Sequence, residues 1–259
     1  MKVLIHDDDE SAIEHTAQLI AARLRRQPNA VLGLATGGTM EAVYARLIAA
    51  HRAGEVSFAR ARSFNLDEYV GLPPDHPMSY WAYMRHHLFD HVDIAPGAAA
   101  LPRGDARDPE AEAAGYEQAI AAAGDIGLQL LGLGANGHIG FNEPTSSLAS
   151  LTRIKTLTRG TREANARYFD DPAQVPRLAI TMGIGTILRA DEVLLLAYGA
   201  GKADAAAAMI EGPLSAACPA SALQMHRKAT VVLDQAAAAK LALRDYYQEV
   251  HPSGRDAVI

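Results

Sequence analysis

The chain has 259 residues, about half of them apolar, a formal net charge of −6 and a single cysteine, Cys218. That length supports a sizeable core without disulfides or a structural metal, the lone cysteine excludes an intramolecular disulfide and fits a reducing compartment, and the acidic balance argues against a general nucleic-acid binder, which needs a basic surface. No apolar stretch approaches the ~20 residues of a membrane span, and the opening MKVLIHDDDE reads as neither a signal nor a transit peptide, so a soluble, cytoplasmic protein is expected.

Short apolar runs alternate with longer amphipathic stretches, and no repeat or Gly/Ser/Pro-rich linker divides the chain. A strand begins almost at residue 2. Val31 to Ala35 reads as a buried strand, followed by a helix over Thr39 to Ala53 with Val43, Leu47 and Ile48 at helical spacing. Arg62 to Leu66 predicts a second short strand, and Ser79 to His91 a helix with Ser79 as N-cap. Pro109 to Ala123 is helical and Ile126 to Leu133 a strong strand. Val193 to Tyr198 is another strand, then a helix from about Lys202 to Glu211, a strand at Val231 to Leu233 and a helical C-terminal segment. The alanine clusters Ala205 to Ala208 and Ala236 to Ala239 both read as helix. This alternation predicts one α/β domain: a doubly wound, mostly parallel, Rossmann-like sheet with helices on both faces. Ligands of such sheets bind at the carboxyl ends of the strands, so the loops after the strands hold the chemistry.

Three such loops stand out. Thr36-Gly37-Gly38-Thr39 follows a strand and opens a helix. It fits an anion site made of free helix-start N–H groups and threonine hydroxyls, or an ordinary tight turn capped by Thr39. It is neither a Walker A loop nor a dinucleotide fingerprint. Phe64-Asn65-Leu66-Asp67-Glu68-Tyr69 sets two carboxylates at a strand end, as a general base or as a solvated acidic turn. The densest loop, Gly132 to Pro144, contains four glycines with Asn136, His138 and Glu143. A carboxylate that takes the imidazole proton fixes its tautomer and raises its basicity, which is how a proton-shuttling histidine is built. Arg167 and Lys202 are cations able to join the first loop in clamping a phosphate; each alone also reads as a surface charge. His86, His87 and His91 lie on one predicted helix but lack an HExxH pattern or an acidic third ligand, so they read as a solvated face, and no metal site is expected. No GxSxG serine is present. Cys218 reads as a small loop residue before Pro219.

Nearly end to end, the chain resembles the glucosamine-6-phosphate deaminases. The strings Leu-Ala-Thr-Gly-Gly-Thr (34–39), Phe-Asn-Leu-Asp-Glu-Tyr-Val-Gly-Leu (64–72), Gly-His-Ile-Gly-Phe-Asn-Glu-Pro (137–144), Thr-Arg-Ile-Lys-Thr-Leu-Thr (152–158) and Gln-Val-Pro (174–176) carry the resemblance in order and spacing. It implies a deaminating aldose–ketose isomerisation of glucosamine 6-phosphate to fructose 6-phosphate and ammonium, in amino sugar catabolism, with no cofactor. Asp67 matches the enolisation base, His138 the ring-opening histidine, and Glu143 the acid that holds it. Asn136 occupies a position where some members have aspartate; an amide cannot take up a proton, so orientation is its implied role. Thr36, Gly37, Gly38, Thr39, Arg167 and Lys202 match phosphate-binding positions, and residues 161–177 a mobile lid. Ser146, Arg153, Lys155 and Thr156 match a second site that binds N-acetylglucosamine 6-phosphate in hexameric relatives. The C-terminal Leu243-Arg244-Asp245-Tyr246-Tyr247 puts an aspartate where the simplest alignment wants that site's tyrosine. The implied partner is therefore a small amino sugar phosphate, with no nucleic acid or membrane, and a homo-oligomer in some relatives. A 6-phosphogluconolactonase would need the phosphate and histidine loops but not Asp67. A sugar-phosphate sensor would need a DNA-binding module, for which the early first strand leaves no room.

Overall fold

A computed structural model describes residues 1–169 and 171–255. The elements run β1 (Lys2–His6), α1 (Asp9–Arg26), β2 (Val31–Leu34), α2 (Gly38–Arg52), β3 (Arg62–Asn65), β4 (Asp67–Tyr69), α3 (Tyr80–His87), β5 (Ala99–Ala100), α4 (Pro109–Ala122) and β6 (Leu128–Gly132). They continue with β7 (Arg153–Thr156), α5 (Arg159–Asn165), β8 (Leu178–Thr181), α6 (Ile184–Leu188), β9 (Glu192–Ala197), α7 (Ala203–Ile210), β10 (Ala229–Asp234) and α8 (Arg244–Val250).

The main sheet has the order β1-β10-β9-β6-β2-β3-β5, and all its pairings are parallel. Its central strands are continuous apolar runs, as burial on both faces requires: Leu130 and Leu131, Leu194 to Leu196 and Val231 to Leu233 are all buried. The chain winds outward one way through β2, β3 and β5 and the other way through β6, β9 and β10. The order therefore reverses between β2 and β6, and the loops leaving those two strands flank the crevice where an open α/β sheet binds ligand.

Three features depart from the sequence expectation. A second, antiparallel sheet, β4-β8-β7, stands beside the first. It has its own small core of Tyr69, Phe141, Leu157, Phe169, Val175 and Ala179. The helix expected over Ser79 to His91 stops at His87. Leu88 turns out of helical torsions to bury its side chain, and a 3₁₀ turn, Phe89–His91, follows, fixed by the His91 Nε2 contact with the His86 carbonyl at 2.9 Å. Ser79 is the N-cap, accepting from the Ala82 amide at 3.0 Å. The Ala236 to Ala239 cluster is a turn rather than a helix. Asp234 ends β10 and takes the Ala237 amide at 2.7 Å and that of Gly199 at 3.0 Å, so the chain bends there and buries Ala237 and Ala238. Tertiary contact outweighs the few tenths of a kcal/mol that alanine propensity contributes per residue.

Candidate active site

A cleft of about 680 Å³ opens at the β2/β6 reversal. Its walls include Thr36 to Glu41, Asp67, Tyr69, Tyr80, Tyr83, His138, Arg167 and Lys202. Residues placed in six separate stretches of sequence thus meet in one space.

At one end are the glycine turn that opens α2 and two cations. Gly37 takes φ +109°, closed to side-chain-bearing residues, and this turns the chain sharply from β2 into α2. Gly37 rather than Thr39 is the N-cap, and no side chain caps α2. The Gly38 and Thr39 N–H groups, at the positive end of the helix dipole, therefore have no side-chain cap, while the Met40 amide donates to the Gly37 carbonyl at 2.9 Å. The Tyr83 hydroxyl holds the Gly37 carbonyl at 2.9 Å, and the Tyr198 hydroxyl bonds the Thr39 side chain. Opposite, Arg167 Nη2 and the Tyr168 hydroxyl stand 3.6 and 3.4 Å from where a Gly38 Cβ would be. The guanidinium lies 4.7 Å from the Tyr168 ring centroid and donates to its hydroxyl at 2.6 Å. Lys202, in a 3₁₀ turn leading into α7, is half-buried; burial and the nearby Arg167 charge push its ammonium below the usual value. An ammonium lowered by burial and by a neighbouring guanidinium regains its charge when an anion sits beside it.

At the other end are the acid–base groups. Asp67, expected at a strand end or in a solvated turn, lies in the short strand β4 and is buried. Burial, then the neighbouring Glu68 charge, push its carboxyl up to about 7, against hydrogen bonds from the Phe141 amide and Thr181 side chain. That is the range of a base that takes and returns protons near neutral pH. His138 crosses Gly134 so closely that a Cβ there would sit 2.4 Å from the ring, so only glycine fits. His138 Nδ1 faces Glu143 Oε2 at 3.6 Å. Glu143 is buried behind it: Asn136 Nδ2 donates to Oε2 at 2.9 Å, while the Thr158 amide (3.2 Å), the Thr158 hydroxyl (3.1 Å) and the Thr161 hydroxyl all donate to Oε1. Burial raises this carboxyl, but the facing His138 imidazole and the bonds from Thr161 and Asn136 outweigh it and bring it down to about 2. A carboxylate so fixed draws the imidazole proton to Nδ1 and leaves Nε2 as the basic nitrogen. Asn136 and Glu143 stand outside the cleft wall, behind His138.

Several contributors gave no sequence signal. Thr158 caps α5 by accepting from the Thr161 amide, and both hydroxyls reach Glu143. Asn165 donates to the Tyr69 hydroxyl at 2.9 Å and Phe169 packs on that ring. The segment from α5 to Phe169 thereby covers the cleft. His87, read as solvated, is half-buried in the cleft wall with its ring 4.3 Å from that of Tyr83; His86 also lines the cleft, from an exposed position. Ser146, Arg153, Lys155 and Thr156 lie outside the cleft. Arg153 and the flanking residues form β7, where the Arg153 guanidinium donates to Asn142 Oδ1 at 2.8 Å, and Ser146 is buried in the loop after Glu143.

The fold and this cleft define an α/β protein whose cleft joins a helix start and two cations at one end to Asp67 and the His138–Glu143 pair at the other. A family model described as glucosamine-6-phosphate isomerases/6-phosphogluconolactonase matches residues 8–232. A glucosamine-6-phosphate deaminase of Shewanella loihica is 55% identical over 250 residues, spanning 96% of this chain and 93% of that protein. A solved monomeric glucosamine-6-phosphate deaminase matches with TM-score 0.91 and 46% identity, over 93% of this chain and 100% of that one. A 6-phosphogluconolactonase from Trypanosoma brucei matches with TM-score 0.74 at 20% identity, over 93% and 98% of the two chains, a likeness of fold alone. The chain belongs to the glucosamine-6-phosphate isomerase/6-phosphogluconolactonase family. No helix among the described residues is long and apolar enough to cross a membrane.

Proposed function

We propose that this enzyme converts glucosamine 6-phosphate and water to fructose 6-phosphate and ammonium, serving amino sugar catabolism in the cytoplasm. The observation that carries the reading is the buried Asp67, in the same cleft as the His138–Glu143 pair and facing a separate cationic clamp. Phosphate rests on the α2 N-terminus, Arg167 and Lys202, and that remote binding energy aligns the sugar. His138 Nε2 takes the C1 hydroxyl proton and delivers it to the ring oxygen, opening the ring. Asp67 removes the C2 proton while O1 gains the proton that the substrate ammonium gives up, which yields an enolamine; returning the C2 proton to C1 then gives a protonated ketimine. Water adds at C2 and ammonia leaves. Asn136 orients: its amide bonds Glu143 and its Oδ1 accepts from the His138 amide at 3.2 Å. Residues 161–177 act as the lid; Asp170 lies outside the described residues. A lactonase has no use for a carbon base, and the burial that raises Asp67 disfavours it as a mere structural carboxylate.

A regulatory site at Ser146, Arg153, Lys155 and Thr156 is part of this reading. Its physical support is the Arg153 bond to Asn142, next in sequence to Glu143. Ammonia release from glucosamine 6-phosphate and from unphosphorylated glucosamine, measured beside acid release from 6-phosphogluconolactone, separates the readings. Turnover of the first alone supports the proposal; hydrolysis of the lactone alone overturns it.

A further inference from the structure

Glu68 follows the proposed carbon base directly and does not line the cleft. Side chains alternate along a strand, so Asp67 and Tyr69 face the cleft while Glu68 points to the opposite side of β4. It is buried, and its partners are backbone amides. Oε1 accepts from Tyr69 N and Tyr80 N, each at 2.9 Å, and Oε2 accepts from Trp81 N at 3.0 Å. Tyr80 and Trp81 are the first two residues of α3, and the Ser79 hydroxyl takes the third amide, of Ala82. One carboxylate from a different strand thus completes the cap of a helix whose first turn carries Tyr80 and Tyr83 into the cleft. Tyr83 in turn holds the Gly37 carbonyl of the anion loop, and Tyr80 meets the Tyr69 hydroxyl at 3.3 Å.

We propose that Glu68 is a positioning residue for the isomerisation: from behind β4 it fixes α3 and the anion loop relative to Asp67, and it sets a second carboxyl group beside that base. The proposal rests on Asp67 being the carbon base. Two neutral or cationic alternatives at position 68 would each fail one half of this arrangement. A neutral residue removes the like charge, and a cation cannot accept three amides. The other titratable groups facing Asp67 are the hydroxyls of Tyr69 from β4, Tyr80 from α3 and Tyr116 from α4, all pushed up by burial. Glu68 is therefore the charged neighbour whose removal changes Asp67. Burial also pushes Glu68 itself up to about 7, against its three amide bonds.

Glu68→Gln keeps an oxygen for Tyr69 and Tyr80 but removes the charge and leaves the Trp81 amide facing an NH₂ group. The kcat/KM–pH profile of this variant should have its acid limb moved down by about half to one pH unit, with a several-fold lower plateau because the base is weaker. Glu68→Asp keeps the charge and withdraws the cap, so its limb should stay in place while KM rises. A Glu68→Gln limb at the wild-type position overturns the proposal. Should Glu68→Gln not fold, carboxyl ¹³C titration of the wild-type enzyme decides: two carboxyls titrating in a coupled fashion near neutral pH are expected, and none above pH 5.5 overturns it. Asp67→Asn run alongside separates the levels. An active Asp67→Asn enzyme removes the reading beneath, whereas an inactive one with an unmoved Glu68→Gln limb removes only this inference.

Discussion

Replacing Asp67 with asparagine should abolish turnover and at the same time stabilise the protein at alkaline pH. Asp67 has an ordinary value of 3.8 and is raised to about 7 in the fold, chiefly by burial. Between about pH 4 and 7 the folded state holds a proton that the unfolded chain releases, so wild-type stability falls as pH rises through that window and is level above it. At about 1.4 kcal/mol per pH unit the ceiling is about 4 kcal/mol. Repulsion from Glu68 supplies part of it and relaxation reduces it, leaving about 2 kcal/mol. Asparagine has nearly the same shape, can accept from the Phe141 amide and donate to Thr181, and carries no such penalty. In a chain of this size about 2 kcal/mol corresponds to a Tm higher by about 4–8 °C. Thermal melts of both proteins at pH 5, 6, 7 and 8 test this. The Tm difference should grow with pH and level off near 7 to 8. A variant equally or less stable than wild type at pH 8, or a difference independent of pH, refutes the buried-base reasoning.

Lys202→Ala removes one charge-assisted contact made to phosphate in ground and transition states alike, worth about 1.5–3 kcal/mol, so steady-state kinetics should show KM raised about 10- to 100-fold with kcat little changed; a pure kcat loss contradicts the clamp. His138→Gln should cost far more on the cyclic sugar than on an open-chain analogue, and equal losses place His138 in another step. Thr161→Val withdraws a donor from Glu143, whose carboxyl is held near 2 against its ordinary 4.5. That carboxylate contributes stability above the unfolded value, lost as pH falls from about 4.5 to about 2. Denaturant melts should therefore show the variant about 1–2 kcal/mol less stable at pH 7, with the gap closing below pH 4; a constant gap assigns the loss to packing.

The parallel sheet is legible because its strands are apolar throughout, as in Ile126 to Leu133 and Val193 to Tyr198. The antiparallel sheet is not, because β4 is Asp-Glu-Tyr and β7 is Arg-Ile-Lys-Thr, polar segments whose partners come from β8 far along the chain. In α1 the Asp8 carboxylate caps the Ser11 amide, and Ile13, Ala17, Ile20 and Leu24 are buried along one face. Within the site, the glycine-rich loops mark His138 and Gly37 because sharp turns at strand ends need glycine. The supporting groups carry no such mark. Thr158, Thr161, Asn165 and Tyr83 have ordinary local roles, and only tertiary folding brings them to Glu143, Tyr69 and Gly37. Glu68 is visible in sequence only as the second of two acids; what distinguishes it from Asp67 is the alternation of β4 and the helix start behind it.

Ammonia and fructose 6-phosphate should be assayed together from glucosamine 6-phosphate, in EDTA, with and without N-acetylglucosamine 6-phosphate and with Asp67→Asn as control. Equimolar release of both products by the wild-type enzyme and none by the variant is the expected result, and a change of rate with the second sugar marks the Arg153 region as a regulatory site. No ammonia under any condition, or ammonia released equally by Asp67→Asn, contradicts a deaminating isomerisation driven by that carboxylate.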